Sequence, residues 1–265
     1  MAPIESESRF LWRFILDLVL TPITLIQVFF KRKEWKDLFK PFIDVFDFLF
    51  EAKLTITLIL LNIVLYIVSL FFNDALLSSL INYPKDLLGP HAYTLITAGF
   101  LHASLSHLFG NMLALFIFGR VVERNIGSLK MGILYFCALI LSGVFSSLIH
   151  LFLIVDNTGG LGASGAIMGL VASAVLLNPF YLTYELLIPL PVMIVGWLTI
   201  YLDVIGVLNP AEDGIGHFAH LGGFLSIAVI AYFMGIDNKE QLKKGFLINV
   251  VSLAVIVGAY YFFLR

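Results

Sequence analysis

The chain has 265 residues, of which 60% are hydrophobic and only 13% are charged. Soluble domains carry about 25% charged residues, so the composition excludes an ordinary soluble fold. The formal net charge of −2 points to no particular partner, and we expect no nucleic acid to bind. We therefore expect a protein that lies in the lipid bilayer.

Residues 1–50 contain one apolar run, Leu18–Phe30, which is interrupted by Pro22 and followed at once by basic residues. A membrane-spanning helix needs about 20 apolar residues, and this run is too short. A short apolar helix next to basic residues is typical of a segment that lies in the membrane interface and contacts anionic lipid. We predict that residues 1–50 form such a cytoplasmic, interfacial segment.

Seven apolar stretches follow, and each is a candidate transmembrane helix. They lie at about 54–72, 107–122, 131–155, 163–177, 186–202, 217–235 and 245–264. We predict an all-α polytopic membrane protein. Residues 51–235 form its six-span core, and residues 236–265 add a basic linker and a seventh transmembrane helix.

Lysine and arginine set the orientation of these spans, because they accumulate on the cytoplasmic side. Of the 16 basic residues, eight precede the first stretch, three follow the second and three lie between the sixth and the seventh. The opposite side receives only Lys85 and Arg265. We predict a cytoplasmic N-terminus and an extracytoplasmic C-terminus. We expect a cell membrane, because no transit peptide is evident.

A serine and a histidine open two of these stretches. Ser164 follows a glycine-rich segment at the start of the fourth stretch, and His220 lies near the start of the sixth. The topology places both at similar depth on the outer side. Alone, Ser164 would be interpreted as a helix N-cap and His220 as a packed residue. Together they predict a nucleophile and its base, beside free N–H groups that can hold an oxyanion.

The second stretch begins with His107, and Asn111 follows four residues later on the same helix face. Polar residues inside a membrane span are costly and are often functional. These two could donate hydrogen bonds to the oxyanion, or they could form a hydrogen bond between helices. Sequence spacing alone leaves both interpretations open.

Six histidines raise the question of a metal site, but the chain lacks a His-Glu-x-x-His motif and a carboxylate in the middle of a span. We interpret His91, His102 and His150 as loop or interfacial residues and His217 as the first residue of a span. We expect no metal and no cofactor. A transporter would need charges along a path through the bilayer, and Asp203 near a span end is the main charged residue in the core.

Four motifs occur in these stretches. They are His107-Leu108-Phe109-Gly110-Asn111, Val122-Glu123-Arg124-Asn125-Ile126-Gly127-Ser128, Gly162-Ala163-Ser164-Gly165 and Ala219-His220-Leu221-Gly222-Gly223. In composition, order and topology they resemble the rhomboid family of intramembrane serine proteases. The resemblance covers about residues 54–235, and the seventh stretch resembles the six-plus-one arrangement of some members.

The resemblance implies a catalytic dyad of Ser164 and His220 without an acid. It implies His107, Asn111 and the backbone N–H of Ser164 as oxyanion donors. The substrates would be transmembrane proteins, cut near the extracytoplasmic face from a water-filled cavity. Met168 departs from the family, because some members carry an aromatic residue there that stacks on the catalytic imidazole. The main alternative is a non-proteolytic, client-binding relative, but such relatives have lost the serine or the histidine.

Overall fold

A computed structural model describes residues 7–183, 190–209, 215–233 and 235–263. The N-terminal segment forms three helices: α1 (Glu7–Val19), α2 (Thr21–Phe29) and α3 (Lys36–Phe50). The rest of the first half contains α4 (Lys53–Ser69), α5 (Asp74–Leu80), α6 (Thr94–Thr97), α7 (Leu105–Ala114), α8 (Arg120–Ile126) and α9 (Ser128–Ile149). The second half contains α10 (Ser164–Leu177), α11 (Val192–Leu208), α12 (His217–Phe233) and α13 (Ile236–Phe263).

Helices occupy all seven predicted stretches, so the all-α fold is confirmed. Short π-helical segments extend α7 into α8 and prolong α9, which gives the continuous helical segments Leu105–Ile126 and Ser128–Ile154. These two segments and Lys239–Ala259 are long and apolar enough to cross a membrane. Two pairs pass the same test only as bent units, Phe10–Val19 with Thr21–Phe29 and Lys36–Phe48 with Lys53–Ser69.

Helix α11, which corresponds to the fifth predicted stretch, differs from its predicted position. It begins at Val192, after Pro191 in an extended conformation, whereas we predicted a start near residue 186. Proline directly before the first helical turn fixes the helix start, because it cannot donate the hydrogen bond that an earlier turn would require. Before the helix, β1 (Leu182–Thr183) pairs antiparallel with β2 (Leu190–Pro191), and residues 184–189 lie outside the described residues.

Helix α10 lies at the centre of the bundle and packs against α9, α11, α12 and α13. All of its residues except Ser164 and Leu176 are buried. Its 14 residues make it about 21 Å long at 1.5 Å per residue, whereas the hydrocarbon core of a bilayer is about 30 Å thick. One end of α10 must therefore lie below the membrane surface, inside a wall of longer helices.

A buried carboxylate, that of Glu123, joins the helices at the end of the bundle where α4 and α9 begin. Glu123 accepts hydrogen bonds from the backbone N–H groups of Leu54 (2.9 Å) and Thr55 (2.8 Å), and from the hydroxyls of Thr55 (2.7 Å) and Ser128 (2.6 Å). It thus satisfies N–H groups at the start of α4 that have no partner within that helix. The contact joins α4, α8 and α9.

The N-terminal segment contacts this same end of the bundle. The guanidinium of Arg120, which is fully buried, lies 3.6 Å from the centre of the Phe48 ring and donates to the Phe48 carbonyl oxygen at 2.8 Å. Phe48 also stacks on Phe10 of α1. The interfacial role of residues 1–50 stays a prediction.

Helix α13 is one continuous helix from Ile236, so Lys239, Lys243 and Lys244 lie in its first turns. Polar side chains attach it to the bundle. Gln241 donates to the carbonyl oxygen of Leu177 at 2.9 Å, and Asn249 donates to that of Val175 at 3.0 Å.

Candidate active site

Ser164 is the first residue of α10 and is half-buried. The turn before it depends on Gly162, whose φ of +119° is readily adopted only by glycine. The N–H of Gly162 donates to the carbonyl oxygen of Ala98 at 2.8 Å, which fixes this turn against the loop before α7. The nucleophile candidate therefore lies at the start of the central helix, directly after a turn that a backbone hydrogen bond holds in place.

His107 lies against the same turn. A Cβ atom at Gly162 would lie 2.8 Å from the Cε1 and Nε2 atoms of the His107 ring, so the absence of a side chain allows the contact. Ser104 caps α7, and its hydroxyl accepts a hydrogen bond from the His107 N–H at 3.1 Å. The Nδ1 atom of His107 faces the Ala103 N–H at 3.5 Å. This arrangement leaves Nε2 as the nitrogen that carries the proton toward the turn.

Asn111 lies one helical turn after His107, on the same side of α7, and is 8% exposed. Its amide nitrogen would lie 3.6 Å from a Cβ atom at Gly162. Among the described residues this nitrogen has no hydrogen-bond partner. A buried amide donor without a partner costs free energy, which is typical of a group that awaits a ligand. The structure thus brings His107 and Asn111 together beside the turn that carries Ser164.

His220 lies in the first turn of α12, which packs against α10 through glycines. A Cβ atom at Gly223 would overlap the carbonyl oxygen of Gly165, so the two backbones are in direct contact. Ser164 precedes Gly165, and His220 lies one turn before Gly223. The close contact therefore brings together the first turns of α10 and α12, which carry the serine and the histidine. Within the described residues no hydrogen bond joins the two side chains, and such bonds often tighten only when substrate binds.

Asp203 of α11 contacts His220, a contact that the sequence analysis missed. Its Oδ1 atom lies 2.8 Å from Nδ1 of His220 and 2.8 Å from Nδ1 of His217. Asp203 is only 4% exposed. The family resemblance implies a dyad without an acid, whereas in this chain a carboxylate faces the base candidate. The one signal in the sequence was an aspartate at the end of an otherwise uncharged predicted span.

Met168, in place of the aromatic residue of some family members, is buried between α10 and α12. Its Cβ atom lies 3.2 Å from the position of a Cβ at Gly223, one turn away from His220. The described hydrogen bond of the His220 ring is the one with Asp203.

His102 lies in the loop before α7 and is buried, with its ring centre 5.1 Å from that of His107. We predicted a loop or interfacial residue, and the loop position agrees. Burial is the main cause that lowers the pKa of His102 to about 4, and the nearby His107 lowers it further. Its imidazole is therefore neutral at physiological pH.

Comparisons with known proteins show which family the chain is similar to. The family model of the rhomboid domain matches residues 89–237, which is more than half of the chain. The mitochondrial RHOMBOID-like protein 12 of Arabidopsis thaliana is 28% identical over 82% of this chain and 64% of its own length. The chloroplastic Rhomboid-like protein 11 of the same plant is 29% identical over 71% of this chain and 69% of its length. The Rhomboid protease AarA of Providencia stuartii is 27% identical over 79% of this chain and 82% of its length.

Proposed function

This chain belongs to the rhomboid family, and we propose that it is an intramembrane serine protease in which Ser164 is the nucleophile and His220 the general base. One observation carries the assignment of these residues. The backbone contact between Gly165 and Gly223 holds the first turns of α10 and α12 together, beside the serine and the histidine. Such a pair at a recessed helix end has the parts that acyl transfer requires.

The chemistry follows from the orientation of the His220 ring. Because Nδ1 faces Asp203, Nε2 is the nitrogen available to the serine. Ser164 Oγ attacks the scissile carbonyl carbon, and Nε2 takes the hydroxyl proton. The same nitrogen then protonates the leaving amine, which gives an acyl-enzyme that water hydrolyses by the reverse sequence.

The negative charge on the tetrahedral intermediate needs donors in place before the reaction. The backbone N–H groups at the start of α10 have no helical partner and provide one set. The amide nitrogen of Asn111, which lacks a partner among the described residues, supplies a second donor. Nε2 of His107 provides the third, and its contact with Gly162, two residues before Ser164, supports this role.

The length of α10 supports cleavage within the membrane, close to its outer face. A helix of about 21 Å cannot reach both surfaces of a hydrocarbon core of about 30 Å. The distribution of lysine and arginine predicts that the end of α10 that carries Ser164 faces the extracytoplasmic side. The substrate is a transmembrane helix of another protein. Its carbonyl groups are hydrogen-bonded, so the segment must unwind locally before Ser164 can attack.

The test is fluorophosphonate labelling in detergent, combined with cleavage of a transmembrane model substrate in proteoliposomes. Ser164→Ala and His220→Ala should both lose labelling and cleavage while their thermal unfolding stays that of the intact chain. Ser173→Ala is the matched control, because its hydroxyl lies in the same helix and, among the described residues, donates only to the Gly169 carbonyl oxygen at 2.8 Å. Cleavage by Ser164→Ala would disprove the proposal. A folded intact chain that neither labels nor cleaves would favour a client-binding protein.

A further inference from the structure

We propose that Asp203 is a positioning residue for His220, so that the site works as a serine–histidine–aspartate triad instead of a dyad. This inference rests on the proposed function, because it assigns a role in the same reaction. It concerns one hydrogen bond, between Nδ1 of His220 and Oδ1 of Asp203, at 2.8 Å.

Helices α11 and α12 bring Asp203 and His220 to the same level of the bundle. Asp203 lies five residues before the end of α11, and His220 is the fourth residue of α12, which packs against α11. A proton on Nδ1 that is donated to the carboxylate leaves a lone pair on Nε2, the nitrogen that serves the nucleophile. A carboxylate at Nδ1 therefore selects the productive tautomer and stabilises the imidazolium that forms during attack.

The burial of Asp203 argues that the carboxylate has a role. An aspartate inside an apolar helix of a membrane protein is costly, and such residues usually pair with a specific partner. Asp203 is 4% exposed, and its described hydrogen-bond partners are the two histidines of α12. Its second oxygen, Oδ2, has no partner within the described part of the chain. The contact with α12 is thus what compensates for the burial of this group.

His217 completes the arrangement as a brace for the carboxylate. Its Nδ1 also lies 2.8 Å from Oδ1 of Asp203. Its ring occupies the space that a side chain at residue 206 would fill, since a Cβ atom at Gly206 would overlap the imidazole. Gly206 lies one turn after Asp203 on the same helix. Two donors one turn apart on α12 therefore hold a single oxygen atom on α11.

The same three side chains form a group that could hold a metal ion, with ligand atoms within 4.8 Å of one another. The distances favour hydrogen bonds. Ligand atoms around a tetrahedral zinc ion, each about 2.0–2.1 Å from the metal, lie about 3.3 Å apart. Both nitrogens are 2.8 Å from the carboxylate oxygen, which is the length of a charge-assisted hydrogen bond.

The first test is steady-state cleavage by Asp203→Asn, a variant that keeps the size of the side chain and removes the charge. We expect kcat to fall by about 10²-fold or more, with KM changed by less than about threefold, because the lost contact acts in the transition state. Asp203→Glu, which restores a carboxylate, should recover part of the rate. Asp156→Asn is the matched control. It breaks another aspartate–histidine pair, at 2.6 Å, between Asp156 in the loop after α9 and His150 in the π-helical segment that prolongs that helix, and it should leave kcat unchanged.

The second test reports directly on the imidazole. Nitrogen-15 labelling of histidine in the folded Ser164→Ala protein, with His220→Ala for assignment, identifies the nitrogen that carries the proton. We expect Nδ1–H in the Ser164→Ala protein and a shift toward Nε2–H when Asp203→Asn is added. An Nε2–H tautomer in the presence of Asp203 would overturn the inference even if the Asp203 variants do not fold.

The outcomes separate the two proposals. Cleavage by Ser164→Ala would disprove the protease mechanism as a whole. An inactive Ser164→Ala together with a fully active Asp203→Asn would overturn only the triad. Loss of activity of the intact chain in excess EDTA would also overturn it, because the three side chains would then be holding a metal ion.

Discussion

Gly165 of α10 and Gly223 of α12 touch backbone to backbone, with Ser164 directly before the first glycine and His220 one turn before the second. Gly223→Ala would place a methyl group on the carbonyl oxygen of Gly165, a backbone atom that cannot move without displacing α10. We expect the helices to separate and cleavage to fall about 10²-fold, since a shift of about 1 Å in a catalytic group has that effect. The measurement is kcat/KM on a transmembrane substrate, with the fluorophosphonate labelling rate alongside.

Gly110→Ala in α7 is the control, because a Cβ atom there would meet nothing within 4 Å. It should retain the activity of the intact chain. Equal activity in Gly223→Ala and Gly110→Ala would mean that the α10–α12 contact does not position the catalytic pair.

Gly162 controls the oxyanion side of the site. Gly162→Ala would strain the backbone, because φ is +119°, and its Cβ would lie 2.8 Å from the His107 ring. We expect kcat to fall about 10-fold or more through displaced oxyanion donors, with a smaller change in KM. Gly160→Ala lies in the same loop, and its Cβ would meet nothing within 4 Å. If both variants lose the same activity, the loop is sensitive as a whole and the His107 contact has no special role.

The sequence predicted the all-α fold correctly, because apolar length is a property of a single segment. The number of membrane spans and their orientation stay predictions. The sequence also predicted that His107 and Asn111 share one face of a helix, and in the structure both lie beside the turn that precedes Ser164. The start of α11 was wrong because Pro191 ends an extended segment. The contact between Asp203 and His220 was missed because it depends on the rotation of α11 relative to α12. The sequence of neither segment indicates how the two helices are rotated relative to each other.

The lowered pKa of His102 predicts that the folded protein loses stability in acid. In the folded protein this pKa is about 4, compared with 6.5 for an unperturbed histidine. As pH falls below 6.5 the unfolded chain binds a proton that the folded chain does not, so stability is lost between about pH 6.5 and 4. The loss is at most about 3 kcal/mol, from 1.36 kcal/mol per pKa unit. The measurement is thermal unfolding in detergent at about pH 7.5 and about pH 5.

His102→Gln removes this titration, so its unfolding temperature should fall less on acidification than that of the intact chain. The comparison between the two proteins cancels the contributions of all other titrating groups. An identical decrease in both would show that His102 is not the group that is buried in its neutral form.

Two glycines of α13, the helix of the seventh predicted stretch, offer a paired test of whether this helix stabilises the rest of the bundle. A Cβ atom at Gly245 would overlap the carbonyl oxygen of Leu176, whereas one at Gly258 in the same helix would meet nothing within 4 Å. Gly245→Ala should therefore move α13 away from α10 and strain the hydrogen bonds of Gln241 and Asn249 to that helix. Overpacking of this kind costs about 1–3 kcal/mol.

Gly258→Ala should stabilise the helix by about 0.5–1 kcal/mol, because alanine loses less conformational entropy than glycine. Opposite shifts in unfolding temperature would show that α13 packs on the core through this contact. Two variants that both unfold at a higher temperature would mean that Gly245 does not lie against α10 in the membrane protein.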